Sequence, residues 1–258
     1  IYNIEDITAV IRAAEEARTP VILMTSISAT THTTLKDLAG IIRHRAKKAS
    51  VPICLHLDHA SDYNLIIRAM YAGYTSVMYD GSMLSYEENV ANTKDVMKVA
   101  KPLDISVEAE IGRVGRTEEG KENFDMVLSV PEEVEQFVDE TGIDACAIAI
   151  GSQHGMQKQE ANLDFDRLKE IRKKVDVPLV LHGSSGVVEN ELKRVGKYIQ
   201  KVNIGTRLKR VFTDTMREAL KHEPDLHNHI TVLEKATEEV KKEVIHKMEL
   251  LGCVDALK

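Results

Sequence analysis

Three histidines stand just past three separate apolar runs: His59 after residues 51–57, His154 after 145–150 and His182 after 178–181. Runs of that length, bounded by polar residues or glycine, read as buried parallel strands. Two of the histidines are followed directly by glycine (Gly155 and Gly183), and an acid, Asp58, precedes the first. If the runs are strands of one barrel, their C-terminal ends share the face on which such barrels carry their chemistry. Three neutral imidazoles converging there form an open metal site of the catalytic kind. A lone histidine at a strand end is more often a hydrogen-bonded structural residue; three at one topological position are harder to explain that way. His44, His222, His227, His229 and His246 fall in basic or polar stretches and read as solvated.

The elements that would position these residues alternate along nearly the whole chain. Residues 1–4 read as the tail of a first strand, with its beginning missing, and Ile7, Val10, Ile11, Ala14 and Ala17 give the next segment a helical stripe. Strands are expected at 21–25, 51–57, 75–79, 105–109, 145–150, 178–181 and 201–204, completing eight. A helix is expected over 62–71, with Ser61 or Asp62 as its cap. Strand–helix repeats of this kind predict one α/β domain, a (β/α)8 TIM barrel, with a doubly wound open sheet as runner-up. Residues 112–125 are rich in glycine and charge and read as too polar for the core. After Pro224, Ile230, Leu233, Val240, Val244, Met248 and Leu251 recur at three- and four-residue steps, an extra amphipathic C-terminal helix.

Composition narrows the function. A chain of 258 residues, 43% hydrophobic and 29% charged, is that of an ordinary globular protein. The net charge of −7 shows no basic face, so nucleic acid is not an expected partner. No apolar stretch approaches the roughly 20 residues of a membrane span, and no signal peptide is evident. Of the three cysteines, Cys54 and Cys146 fall in expected strands and read as small buried hydrophobes in a reducing, cytoplasmic setting.

Five segments carry a more specific message: His56-Leu57-Asp58-His59, then 106–112 (SVEAEIG), 149–155 (AIGSQHG), 181–186 (LHGSSG) and 201–206 (KVNIGT). In this order they resemble the class II, zinc-dependent fructose- and tagatose-bisphosphate aldolases, and the resemblance covers essentially the whole chain. It implies Zn2+ on His59, His154 and His182, with Asp58 as the acid–base group for the C4 hydroxyl. It also implies that Asp80 and Glu110 form an alternative or second position, for a divalent or monovalent cation. Glu108 and Glu110, two residues apart, point to one face of a strand, so a nearby cation is expected, Arg113 or Lys101 on the structural reading. Glu118 matches the family's mobile-loop acid, which exchanges a proton of the dihydroxyacetone phosphate half. Glu119 is its neighbour, and Arg116 stands where the family has a second glycine.

Gly183-Ser184-Ser185-Gly186 and Asn203-Ile204-Gly205-Thr206 each follow a strand and can cradle an anion with backbone N–H groups. By resemblance these loops, with Gly155 and Lys158, hold the C1 phosphate, and Asn203 holds substrate hydroxyls. Ser26, Lys201 and Lys209 fall near the distal phosphate, and Asn3 keeps an N-terminal asparagine of the family. Gly205 replaces an acid, and Lys209 an arginine, of the fructose-type enzymes, which tilts the expected substrate toward a tagatose-type sugar bisphosphate. A homodimer or homotetramer is implied. A zinc-hydroxide hydrolase on the same barrel would be expected to open with a His-x-His pair, which is absent here, and a catalytically silent aldolase-like subunit is the third reading.

Overall fold

The computed structural model describes residues 1–117, 123–156 and 158–257. In chain order these form α1 (Ile4–Ala17), β1 (Val21–Thr25), α2 (Ile27–His32), α3 (Leu35–Ala46), β2 (Ile53–Ala60), α4 (Tyr63–Ala72), β3 (Ser76–Tyr79), α5 (Tyr86–Ala100), β4 (Ser106–Ile111) and β5 (Gly115–Arg116). There follow α6 (Pro131–Thr141), β6 (Ala145–Ile148), β7 (Gln153–His154), α7 (Phe165–Lys174), β8 (Leu179–Leu181), α8 (Glu189–Val195), β9 (Lys201–Val202), α9 (Thr206–His222) and α10 (His229–Leu251). Two compact units result, Ile1–Leu55 with Gly205–Lys258, and His56–Ile204.

The main sheet has seven strands in the order β1-β2-β3-β4-β6-β8-β9. From β2 to β9 each neighbouring pair is parallel. Because the order never turns back on itself, the doubly wound arrangement is excluded. Met78, Ala147 and Val180, one residue each from β3, β6 and β8, are fully buried together. In the first unit α10 packs on α1 and α9, burying Val232, Ala236, Val240 and Val244, as the apolar steps after Pro224 require.

Three expectations need correction. Residues 1–3 form no strand: the Asn3 side chain accepts from the Asp6 N–H and starts α1, and this N-cap overrides the apolar character of Ile1, Tyr2 and Ile4. The stretch after β4 is not all polar surface, since Val114 and Gly115 are buried and β5 pairs with β7. His154 does not sit at the end of β6 but on β7, in a separate two-stranded sheet.

Candidate active site and metal centre

β2 runs past its expected end to include Asp58 and His59, and it does so irregularly. Leu57 pairs with Val77 but Ala60 pairs with Tyr79, so one extra residue is inserted in β2. His59 takes up the slack in the left-handed region, φ 50°, a β-bulge. Its freed N–H points at the Met78 sulfur, 3.4 Å away. Consecutive residues of a regular strand face opposite ways; the bulge lets Asp58 and His59 serve one site. Asp62, not Asp58, caps α4, accepting from the Asn64 N–H.

His59, His154 and His182 converge. A ligand nitrogen from each lies within 4.8 Å of the others, and the His59 ring stands edge-on to His154 and His182 at centroid distances of 4.6 and 4.4 Å. His59 Nε2 and His182 Nδ1 are 2.7 Å apart, and His59 Nδ1 is 2.7 Å from Asp80 Oδ2. Asp80 is held in turn by the Ser82 hydroxyl at 2.7 Å. His182, fully buried at the end of β8, donates from Nε2 to Glu108 Oε1 at 2.8 Å. Lys201 on β9 lies 2.8 Å from Glu108 Oε2 and donates to Asn203 Oδ1 at 2.7 Å. Asn203 donates to Asp58 Oδ1 at 3.0 Å. The cation beside the β4 acids is therefore Lys201, neither Arg113, which donates to the Asp125 carbonyl, nor Lys101.

The charges follow from these partners. Burial opposes the charge on His59, yet Asp58, Asp80 and Glu110 hold its pKa up to about 10. Burial also opposes ionisation of Asp58, but His59, His182 and Lys201 bring it down to about 2. Burial and the neighbouring imidazolium keep His154 and His182 neutral. Glu108 stays ionised against its burial because of Lys201 and His182. Glu110 is pushed up to about 8 by burial and by Asp80.

Unpartnered buried atoms bear on what this arrangement can bind. Among the described residues His154 Nε2 and Glu110 Oε2 are buried with no hydrogen-bond partner, which is costly unless something binds them. Three imidazole nitrogens this close together suit a divalent cation, which would displace the proton that His59 carries. Asp80 and Glu108 bond the far nitrogens of His59 and His182, the place where carboxylates fix ligand tautomers in metal sites. His59, Asp80 and Glu110 form a second group of donor atoms with the same spacing.

The remaining candidate residues fall in several places. Gly155 makes a left-handed turn, φ 79°, after His154, and Lys158 is exposed beside Glu160. Gly183 has φ 65°, and a Cβ there would meet the Gln153 backbone at 2.6 Å, so no other residue fits. In the turn Ser184–Gly186, which contains Ser185, the Ser184 hydroxyl donates to the Asn203 carbonyl at 2.5 Å and joins the loops after β8 and β9. In the other unit Ser26 caps α2 and Lys209 Nζ lies 5.4 Å from the centre of the Tyr2 ring. No side chain caps α9 at Gly205, just before Thr206, and a Cβ at Gly205 would meet nothing within 4 Å. Glu118 and Glu119 lie outside the described residues. His56, which the sequence places in the segment 56–59 with no role attached, has its Nδ1 2.8 Å from the Ser76 hydroxyl and joins the buried cluster.

Comparison with known proteins agrees with this geometry. The family model for class-II fructose-bisphosphate aldolase matches residues 1–256, and the chain belongs to that family of carbon–carbon lyases. It is 37% identical to the D-tagatose-1,6-bisphosphate aldolase subunit GatY of Klebsiella oxytoca, over 98% of this chain and 90% of that one. It is 35% identical to a sulfofructosephosphate aldolase of Alkalicoccus urumqiensis, over 97% and 88%. The crystal structure of the YdjI aldolase from Escherichia coli K12 superposes with a TM-score of 0.85 at 32% identity, covering all of this chain and 91% of that one. The fold is thus the α/β, TIM-barrel type of the class II aldolases. No described helix is long and apolar enough to cross a membrane.

Proposed function

We propose that this chain catalyses reversible aldol cleavage of a ketose 1,6-bisphosphate to dihydroxyacetone phosphate and an aldehyde such as glyceraldehyde 3-phosphate, with Zn2+ held by His59, His154 and His182. The observation that carries this is the convergence of the three imidazoles with an orphaned His154 Nε2 and an ionised carboxylate, Asp58, reached through Asn203. Zinc there would polarise the substrate carbonyl and offset the negative charge that develops as the C3–C4 bond breaks. Asp58, ionised at neutral pH, takes the C4 hydroxyl proton in cleavage and returns it in condensation. Asn203 orients substrate hydroxyls. The loops at Gly155, Gly183 and Ser185, with Lys158, receive the C1 phosphate on backbone N–H groups. Glu118 exchanges the proton on the triose phosphate carbon, and Asp80 with Glu110 offers the second cation position.

The favoured substrate is tagatose 1,6-bisphosphate, since Gly205 and Lys209 match tagatose-type members and the GatY relative is named for that sugar. The sulfofructosephosphate relative supports a second reading, in which a sulfonate replaces the distal phosphate. A homodimer or homotetramer in the cytoplasm completes the proposal. The test is a coupled cleavage assay of the zinc-loaded protein on tagatose, fructose and sulfofructose phosphates, ranked by kcat/KM. Tagatose 1,6-bisphosphate should lead by roughly ten- to a hundredfold, and Gly205→Asp, whose Cβ would meet nothing within 4 Å, should shift the ratio toward fructose. A preference of the unaltered protein for fructose 1,6-bisphosphate overturns the substrate assignment, and no cleavage of any ketose phosphate overturns the aldolase reading.

A further inference from the structure

We propose that Lys201 is a positioning residue and not a phosphate ligand: its ammonium joins the carboxylate that orients His182 to the amide that orients Asp58. The inference rests on the metal and acid–base roles given above to His182 and Asp58. Lys201 pairs with Val180 in the register of β8 and β9. From there its side chain, only 10% exposed, reaches Glu108 of β4. Glu108 is 2% exposed and its two oxygens meet His182 and Lys201. A buried carboxylate needs its cation, so an ammonium that turned to a phosphate would leave Glu108 charged with only the neutral His182 N–H bonded to it.

The contacts form one line, His59–His182–Glu108–Lys201–Asn203–Asp58. Its two ends are adjacent residues on the β2 bulge, so the line closes into a ring. Movement at Lys201 is therefore felt on both sides, at the metal ligand through Glu108 and at the acid–base group through Asn203. A distal-phosphate ligand would act on neither. It would only hold one end of a bisphosphate, and its loss would weaken binding of that substrate alone.

Lys201→Met, Glu108→Gln and the double variant separate the two roles. Zinc affinity is measured by chelator competition, and kcat and KM with tagatose 1,6-bisphosphate and with fructose 1-phosphate, which lacks the distal phosphate. Lys201→Met should weaken zinc about 10- to 100-fold, the usual effect of losing an outer-shell partner. It should lower kcat for both sugars alike with little change in KM. The double variant should be no worse than the worse single, because the two residues act as one unit. If Lys201→Met does not fold, the double variant, which removes the buried acid together with its partner, supplies the same comparison with Glu108→Gln. Unchanged zinc affinity and kcat, with KM raised for the bisphosphate only, would overturn the proposal. An unaltered protein that cleaves neither sugar would instead sink the aldolase reading, while the zinc measurements would still judge Lys201.

Discussion

The two sides of the histidine cluster are built differently. On β2, β4, β8 and β9 the polar groups form a closed circuit, from Asp80 through His59, His182, Glu108, Lys201 and Asn203 to Asp58. On the β5–β7 pair and the residue before it, the buried Arg116 Nε, Ser152 Oγ and His154 Nε2 have no hydrogen-bond partner among the described residues. Buried polar groups are ordinarily satisfied. The first side is thus largely formed in advance and held by its own bonds, His56 Nε2 and Glu110 Oε2 excepted, while the second presents mainly buried atoms with no partner among the described residues. A preformed half fixes geometry without reorganisation during the reaction, and an unsatisfied half gives binding free energy a place to act.

The largest effects should come from breaking each side at its histidine. His154→Ala and His182→Ala should both reduce cleavage below detection. They should differ in stability: His182→Ala strips Glu108 of a bond and should destabilise the metal-free protein by about 1–3 kcal/mol more than His154→Ala in urea unfolding. Equal losses would erase the contrast. Next, Asp58→Asn should keep its zinc and lose roughly 10²–10⁴ in kcat; a variant that loses its zinc would make Asp58 a ligand instead.

The pH dependence of the metal-free protein sharpens the same contrast. His59 has its pKa raised from 6.5 to about 10, so its contribution is complete below pH 6.5 and is lost as pH rises through 10. Glu110, raised to about 8 by burial and by Asp80, acts in the same direction at lower pH. Stability of the metal-free protein should therefore fall between about pH 6.5 and 10. Zinc, which requires a neutral His59, should remove the His59 part of that fall. A flat profile without metal would contradict the charge assignment. The smallest effects separate two serines. Ser76→Ala leaves the buried His56 Nδ1 without its partner and should cost about 1–3 kcal/mol. Ser152→Ala removes a hydroxyl with no hydrogen-bond partner among the described residues and should stay within about 0.5 kcal/mol or stabilise. The reverse order would show that the β5–β7 side is satisfied after all.

Much of this was legible in the chain. The three histidines stand out because each follows a run that is apolar for a physical reason, burial in a parallel sheet. The cap of α4 was narrowed to Ser61 or Asp62, of which Asp62 serves, and α10 stands out as an amphipathic stripe. The rest was hidden because it depends on short or non-local events. β5 and β7 are two residues each, too short for any period to appear. The bulge at His59 is a one-residue register shift between β2 and β3 that hydrophobic pattern does not encode. The Asn3 cap competed with a short, mostly apolar stretch, residues 1–4, that resembled a strand end. For Glu108, spacing along β4 told which face it occupies, but not that the cation opposite would come from β9.

The central claim is that the three imidazoles hold a catalytic zinc, and metal replacement tests it directly. The chelated protein should be inactive on tagatose 1,6-bisphosphate and regain cleavage in proportion to added zinc, saturating at one ion per chain. X-ray absorption should then show histidine nitrogens at about 2.1 Å. Cleavage that survives chelation, with no stoichiometric zinc in the purified protein, would contradict it.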